Sequence, residues 1–285
     1  MKTGNLHTRR VFLKCGTCSQ AFCHLLNREF DNANIPYERA TDVQAGGLLR
    51  TGNQCGMLWG ASLAVGTESY KRNGNSGKAI AASITTTQRL MESFTKVTKT
   101  VNCSEITGLD LMNKSDLRKL IIKTILGGFV FSRCFNIAAK WAPDAIKTAV
   151  DGLSNGHDNS SQNAVSCASE MIKRLGGSEE EAVMVSGFAG GLGLSGNACG
   201  ALSAFMWMKL LTWLREHPGE TPNYKDNTSA MNTLKVFFAA TDSEIQCHKI
   251  TGRHFNSIEE HTEFVNNGGC AKVMDALSAI VISKN

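Results

Sequence analysis

Apolar residues along this chain return every three to four positions, the period of an α-helix that buries one face. Between Cys18 and Phe30 they fall at Phe22, Leu25 and Leu26, and Asn32-Ala33-Asn34-Ile35-Pro36 ends that run. Proline fits a first helical turn, so a second helix is expected from Pro36 to about Gln44. A glycine loop follows, then a helix from Asn53 to about Val65 and a loop over Arg72–Gly77. Ile84, Leu90, Met91, Phe94 and Val97 mark a long amphipathic helix over Ile80–Lys99. Ser115 is placed to cap a helix through Leu126, and Cys134 leads into one ending near Leu153. After a Ser/Asn/Gly/Asp-rich linker, Ser154–Ser161, the order repeats. Cys167, Met171, Ile172 and Leu175 share one helix face, and Gly176-Gly177-Ser178 with Glu179–Glu181 stops that helix and caps the next. Helices are expected over Glu179–Ser186, Asn197–Glu216 and Ala230–Ala240, with a Pro/Asn loop over Pro218–Thr228 and a last helix opened by Cys270. No stretch alternates with period two and no βαβ unit is visible, so the fold class is all-α.

The repetition extends to individual residues. Gly46-Gly47-Leu48, Gly52-Asn53 and Cys55-Gly56 return as Gly190-Gly191-Leu192, Gly196-Asn197 and Cys199-Gly200; Cys103, Ile106-Thr107-Gly108 returns as Cys247, Ile250-Thr251-Gly252. The offset is 144 in both cases (190 − 46 and 247 − 103). A constant offset over separated motifs means a tandem duplication. The expected organisation is two homologous helical-bundle domains, residues 1–155 and 156–285, related by a pseudo-twofold, each long enough to bury a core of its own.

Composition narrows the function classes. Hydrophobic residues make up 42% and charged residues 19% of the chain, as in an ordinary globular protein. A net charge of +5, scattered and without interleaved aromatics, argues against a nucleic-acid groove. The most apolar stretch, Ala198–Leu214, is broken by Lys209 and is too short to span a bilayer, so it reads as a buried hairpin helix. Arg9-Arg10 has the look of a twin-arginine export signal, but the polar Cys15–His24 segment follows where an apolar stretch is needed, so the pair reads as a helix surface. These readings place the chain in the cytoplasm. In a reducing compartment, patterned cysteines serve metal or redox chemistry more often than structural disulfides.

Four cysteines recur in order in each copy: Cys18 or Cys23, Cys55, Cys103 and Cys134, then Cys167, Cys199, Cys247 and Cys270. The middle interval is 48 in both copies (103 − 55 and 247 − 199). Thiolate sulfur is a soft, charge-donating ligand, and four widely spaced thiolates suit an iron–sulfur cluster better than a zinc knuckle. Two other readings stand beside this one. The first is a metal-free thiol–disulfide protein with Cys55 and Cys199 reactive; the second is a helical scaffold in which the cysteines are inert buried hydrophobes. Asn53 and Asn197 are good N-cap residues, which would put Cys55 and Cys199 in a first helical turn where the dipole favours thiolate. Gly52, Asn53 and Gly56, with Gly196, Asn197 and Gly200, are thereby candidates to present backbone amides to a bound group. Gly191-x-Gly193-x-x-Gly196 spells a dinucleotide motif without the strand it requires, and Cys15-Gly16-Thr17-Cys18 spells a redox dipeptide pair without a counterpart in the second copy. His248 reads as a surface histidine.

These residues resemble a known family. Cys18-Ser19-Gln20-Ala21, Cys55-Gly56, Cys103–Gly108 and Cys134, and in the second copy Ser186–Gly193 with Cys199-Gly200-Ala201-Leu202, Cys247 and Cys270, resemble the small redox-active proteins named for their C–GCAxxG–C–C cysteine pattern. The resemblance covers nearly the whole chain, twice. It implies redox or metal work, with an unknown electron donor or acceptor as partner, and an iron–sulfur cluster as cofactor. The departures are Cys55-Gly56-Met57 in place of the full GCAxxG string, and Ser160-Ser161-Gln162 where a first cysteine would stand, with Cys167 further on. The offset of 144 aligns Cys167 with Cys23, whereas the resemblance favours Cys18 as the first ligand, so that position stays open.

Overall fold

A computed structural model describes residues 5–126, 132–154, 162–222 and 228–282. Among them are fifteen α-helices and no strand. The first half holds α1 (Asn5–Cys15), α2 (Cys18–Glu29), α3 (Ile35–Ala40), α4 (Gly56–Asn73), α5 (Gly77–Thr98), α6 (Cys103–Thr107), α7 (Lys114–Leu126) and α8 (Arg133–Ser154). The second holds α9 (Cys167–Arg174), α10 (Glu179–Met184), α11 (Gly200–Glu216), α12 (Thr228–Ala240), α13 (Cys247–Thr251), α14 (Ile258–Asn266) and α15 (Ala271–Ile282). The 155/156 boundary and residues 155–161 of the linker lie outside the described residues, as do 223–227 of the Pro/Asn loop.

Local chemistry explains most of the helix starts. The side chains of Thr17, Asn34, Ser76, Ser166 and Ser257 each accept a hydrogen bond from a first-turn amide. Ser178 and Glu181 close a reciprocal capping box at α10. Asn113, rather than Ser115, accepts from the amide at the start of α7. The expected Pro36–Gln44 helix is α3 followed by a tighter 3-10 turn over Thr41–Gln44. Arg9 and Arg10 sit on α1, where Arg9 reaches Asn136 Oδ1 at 2.6 Å and Arg10 faces solvent.

The starts of α4 and α11 differ from the sequence expectation. Asn53 and Asn197 cap nothing; the helices begin at Gly56 and Gly200, with Cys55 and Cys199 at the N-cap positions. The cause is a pair of antiparallel bridges, Gln54–Asn102 and Ala198–Gln246, which hold the preceding residues extended. Cys55 N–H donates to Val101 C=O and Cys103 N–H to Asn53 C=O; Cys199 and Cys247 do the same with Ile245 and Asn197. Two separate loops are thereby tied side by side, each delivering one cysteine.

The halves pack reciprocally. Helix α3 lies on α11 while its repeat counterpart α10 lies on α4, and the Thr41–Gln44 turn meets α11 while the Ser186–Phe188 turn meets α4. Equivalent surfaces contacting each other in exchanged order define a pseudo-twofold. Trp59 packs edge-on against Phe188 at 5.0 Å and Tyr37 against Trp207 at 5.8 Å, each joining one half to the other. One continuous hydrophobic cluster takes in residues of both halves, so the expected pair of separate cores is a shared one. No helix among the described residues is long and apolar enough to cross a membrane.

At the axis lies Gln54, which is fully buried. Its Nε2 donates to Gly191 C=O at 2.7 Å, and its Oε1 accepts from Ala198 N–H at 3.1 Å. Ala198 is the repeat counterpart of Gln54 (198 − 54 = 144).

Candidate redox site

Each glycine loop is one turn of left-handed backbone. Positive φ runs through Gly46, Gly47, Leu48, Leu49 and Arg50, and again through Gly190, Gly191, Leu192, Gly193 and Leu194. Left-handed geometry costs a side-chain-bearing residue about 1–2 kcal/mol, so the glycines lower the strain without removing it. The turn presents amides to sulfur: the Gly46 amide hydrogen-bonds Cys18, and the Gly190 amide hydrogen-bonds Cys167.

Four thiols gather in the first half. Cys18 opens α2, hydrogen-bonds Cys55 directly, and senses the amides of Gly46, Ser19 and its own residue. Cys103 opens α6 and Cys134 lies in the first turn of α8; both are electrostatically coupled to Cys18. Cys23 is elsewhere: its sulfur accepts from Asn27 Nδ2 at 3.6 Å, and Asn27 in turn donates to Glu38. The structure therefore groups Cys18, not Cys23, with the other three. Cys15 also stays apart, coupled to Glu38, Asp42 and Cys23, so the Cys15-x-x-Cys18 spacing forms no pair.

The second half gathers Cys167, Cys199, Cys247 and Cys270. Cys167 opens α9 behind its cap Ser166, as Cys18 opens α2 behind Thr17. Cys167 falls five residues beyond the repeat counterpart of Cys18 (18 + 144 = 162), yet the helix start has moved with it. The offset that aligned Cys167 with Cys23 thus fails here, and no sulfur has to reach along a helix. Here the sulfur in direct hydrogen bond with Cys167 belongs to Cys270, and His261 supplies a second side-chain hydrogen bond.

Electrostatics single out one thiol per half. Cys18 is lowered from the ordinary thiol range, chiefly because Cys55 donates to its sulfur, with burial opposing and the three amides assisting. Cys167 is lowered well below that range by Cys270, then by His261 and the Gly190 amide, again against burial. The remaining members stay protonated. The bond to Cys18 and burial hold Cys55 well above the ordinary value; Cys270 is raised in the same way by Cys167 and burial. Burial first, then the neighbouring thiolate, pushes Cys134 and Cys199 up to about 12 and raises Cys103 and Cys247 as well. The expectation that Cys55 and Cys199 carry the thiolate is therefore reversed. As N-cap residues inside the core they lose more to desolvation than the helix terminus returns.

The six loop residues singled out in the sequence frame this chemistry. Gly56 lies against Cys18: a Cβ there would stand 2.7 Å from its Sγ. The Gly52 carbonyl accepts from the Ser104 amide and hydroxyl, and the Gly196 carbonyl from the His248 amide and Nδ1 (2.7 Å). Asn53 and Asn197 supply the carbonyls that hold Cys103 and Cys247, and Gly200 packs on Phe188. His248 is half-buried and stacks on His254 at 4.5 Å.

The family model described as "Putative redox-active protein (C_GCAxxG_C_C)" matches residues 16–142 and again 159–283. The chain belongs to that family. Comparison with curated proteins and with solved structures returns no match in either case. Each matched segment contains the four cysteines that the structure groups in that half.

Among the described residues no three Cys, His, Asp or Glu side chains converge to hold a metal ion. In each half one pair of sulfurs is joined directly, Cys18 with Cys55 and Cys167 with Cys270, while Cys199 also takes the amides of Leu202 and Ala201 and Cys247 the Thr251 side chain. Two residues of this site, Gln54 and His261, gave no signal as site residues in the sequence. Position 261 corresponds to Leu117 under the 144 offset, in a stretch where the two copies share few residues, so no clue lay in the repeat.

Proposed function

We propose that the chain is a thiol–disulfide redox protein carrying one dithiol in each half, Cys18–Cys55 and Cys167–Cys270. The observation that supports this most is the direct hydrogen bond in each half between a thiolate-favouring cysteine at a helix N-terminus and a protonated partner thiol. In the first half Cys18 opens α2 and is half-buried as a residue. Its thiolate attacks a disulfide of the electron acceptor, forming a mixed disulfide and releasing one acceptor thiolate. Cys55 passes its proton to that thiolate and attacks the Cys18 sulfur, forming Cys18–Cys55 and releasing the second. Two electrons leave the protein per dithiol. A dithiol of this kind works in a reducing setting such as the cytoplasm, where patterned cysteines do redox work.

Oxidation of the reduced protein with oxidised glutathione, followed by peptide mapping, tests the reading. Cross-links Cys18–Cys55 and Cys167–Cys270 are expected; a protein that remains fully alkylatable would overturn it.

A second reading, an iron–sulfur cluster in each half, is supported by the two further thiols beside each pair, Cys103 and Cys134, and Cys199 and Cys247. A cluster would supply one-electron chemistry. Anaerobic reconstitution with iron and sulfide separates the two: visible charge-transfer absorption that is lost with Cys103→Ser or Cys247→Ser favours the cluster, and a colourless protein favours the dithiol.

A further inference from the structure

The two sites are not copies in one respect. Helices α7 and α14 start at matched positions (258 − 114 = 144), and Leu117 on the first corresponds to His261 on the second. His261 is only 1% exposed. Its ring is fixed edge-on against Phe255, with centroids 5.0 Å apart at 88°. The neighbouring Thr262 hydroxyl accepts from the Val165 amide, which ties α14 to the segment leading into Cys167. The ring also lies against Gly190, the residue whose amide hydrogen-bonds Cys167: its Cδ2 is 3.5 Å from where a Gly190 Cβ would stand. His261 hydrogen-bonds the Cys167 sulfur, while its Nδ1 is buried without a partner. A buried imidazole with one nitrogen left unpaired is a costly thing to keep in a core. The repeat position in the first half, Leu117, is apolar and only partly buried, so nothing there corresponds to this buried ring.

We infer that His261 is a positioning residue of the second dithiol, and that its hydrogen bond to Cys167 makes this couple the more oxidising of the two. The inference rests on the dithiol reading above. Oxidation of the Cys167 thiolate and the Cys270 thiol forms one S–S bond, releases the one proton held by Cys270, and gives two electrons to a disulfide that leaves as one thiol and one thiolate. The His261 bond is made to the reduced sulfur and weakens when that sulfur enters the disulfide. Stabilising the reduced form raises the potential. Electrons then settle in the second half in preference to the first. Gln54, the residue before Cys55, accepts a hydrogen bond from the amide of Ala198, the residue before Cys199.

The test equilibrates the full chain in glutathione buffers of stepped ratio, traps thiols by alkylation, and reads the two cross-linked peptides separately. In the wild type, the second couple should need about a tenfold larger oxidising ratio than the first, equivalent to ~30 mV. His261→Leu should remove that gap, and His261→Gln, which keeps an N–H donor, should restore part of it. The first couple should not move in either variant. If His261→Leu does not fold, His261→Met removes the hydrogen bond with a more adaptable side chain and carries the same expectation. Equal ratios for the two couples in the wild type, or an unchanged second couple in the apolar variant, would overturn the inference while leaving the dithiol reading intact. Absence of either cross-link would overturn the dithiol reading itself.

Discussion

Replacing Gly60 by alanine should loosen the first dithiol from a distance. Gly60 lies in α4 where α2 crosses it. A Cβ at that position would stand 2.0 Å from the Ser19 carbonyl oxygen and 3.0 Å from the Cys23 amide nitrogen, where ordinary contact begins near 3.4 Å. The obstacle is backbone, so α2 itself has to retreat by about 1 Å or more. Two effects compete. Alanine improves helix propensity by about 0.5–1 kcal/mol, whereas overpacking a filled crossing costs about 1–3 kcal/mol. The steric term wins, for a net loss of about 1–2 kcal/mol. Ser19 follows Cys18, so the retreat draws the Cys18 sulfur away from Cys55. A displacement of that size costs up to ~10²-fold in the rate of a positioned reaction. Urea unfolding of the reduced protein should show a lower midpoint at unchanged slope, and Cys18–Cys55 cross-linking by oxidised glutathione should slow markedly. Gly176→Ala serves as the control. Nothing lies within 4 Å of its Cβ position and its φ is +74°, so it should cost about 1–2 kcal/mol of backbone strain and leave cross-linking unchanged. A Gly60→Ala protein as stable as wild type, with unchanged cross-linking, would refute the reasoning.

Other outcomes follow from the same geometry. Cys18→Ser should abolish the first cross-link while Cys23→Ser, whose sulfur faces Asn27, retains it; peptide mapping of both variants decides, and the reverse pattern would reinstate the strict 144 register. A variant keeping only Cys199 should alkylate with an apparent pKa above the ordinary ~8.5, because burial favours its neutral form; a value at or below that would refute the assignment. Cys15, Cys23, Cys55, Cys103, Cys134, Cys199, Cys247 and Cys270 are all raised in the folded chain. Their contribution is complete below the unfolded thiol pKa of ~8.5 and is lost as pH rises above it, since the unfolded chain ionises there first. The opposite shifts of Cys18 and Cys167 offset only part of this, so urea midpoints under reductant should fall between pH 8 and pH 10; a flat profile would count against the buried-thiol account. Gln54→Ala should cost about 1–3 kcal/mol by leaving the buried Ala198 amide unpaired, again read by urea.

The repeat register was legible wherever local sequence and local structure repeat together. The 144 offset carries the glycine loops, the short helices opened by Cys103 and Cys247, and also the starts of α3 and α10. The register breaks at Cys18 and Cys167, because the five-residue shift is absorbed before the helix begins and only the cap, Thr17 or Ser166, marks it. The thiolate was assigned to the wrong cysteines for an instructive reason. Asn before a helical run is a sound capping signal, but the bridges of Gln54 to Asn102 and of Ala198 to Gln246 delay the helix starts to Gly56 and Gly200, and long-range pairing is invisible to a local rule. Burial of Cys55 and Cys199 then outweighs the helix terminus. His261 and Gln54 act through contacts with distant parts of the chain, which no periodicity records.

The residue on the pseudo-twofold shows what joining two copies in one chain permits. A homodimer of single units must place the same side chain on both sides of its axis. Two glutamines facing each other there would compete for the space and the hydrogen bonds that one now fills. With both copies on one polypeptide, position 54 keeps the long amide and position 198 has alanine. The junction becomes a lock with a single key. Once the centre is unequal, each half is free to diverge at its own sulfur site, and the histidine present in only one of them is a change that a symmetric pair of identical chains could never make singly.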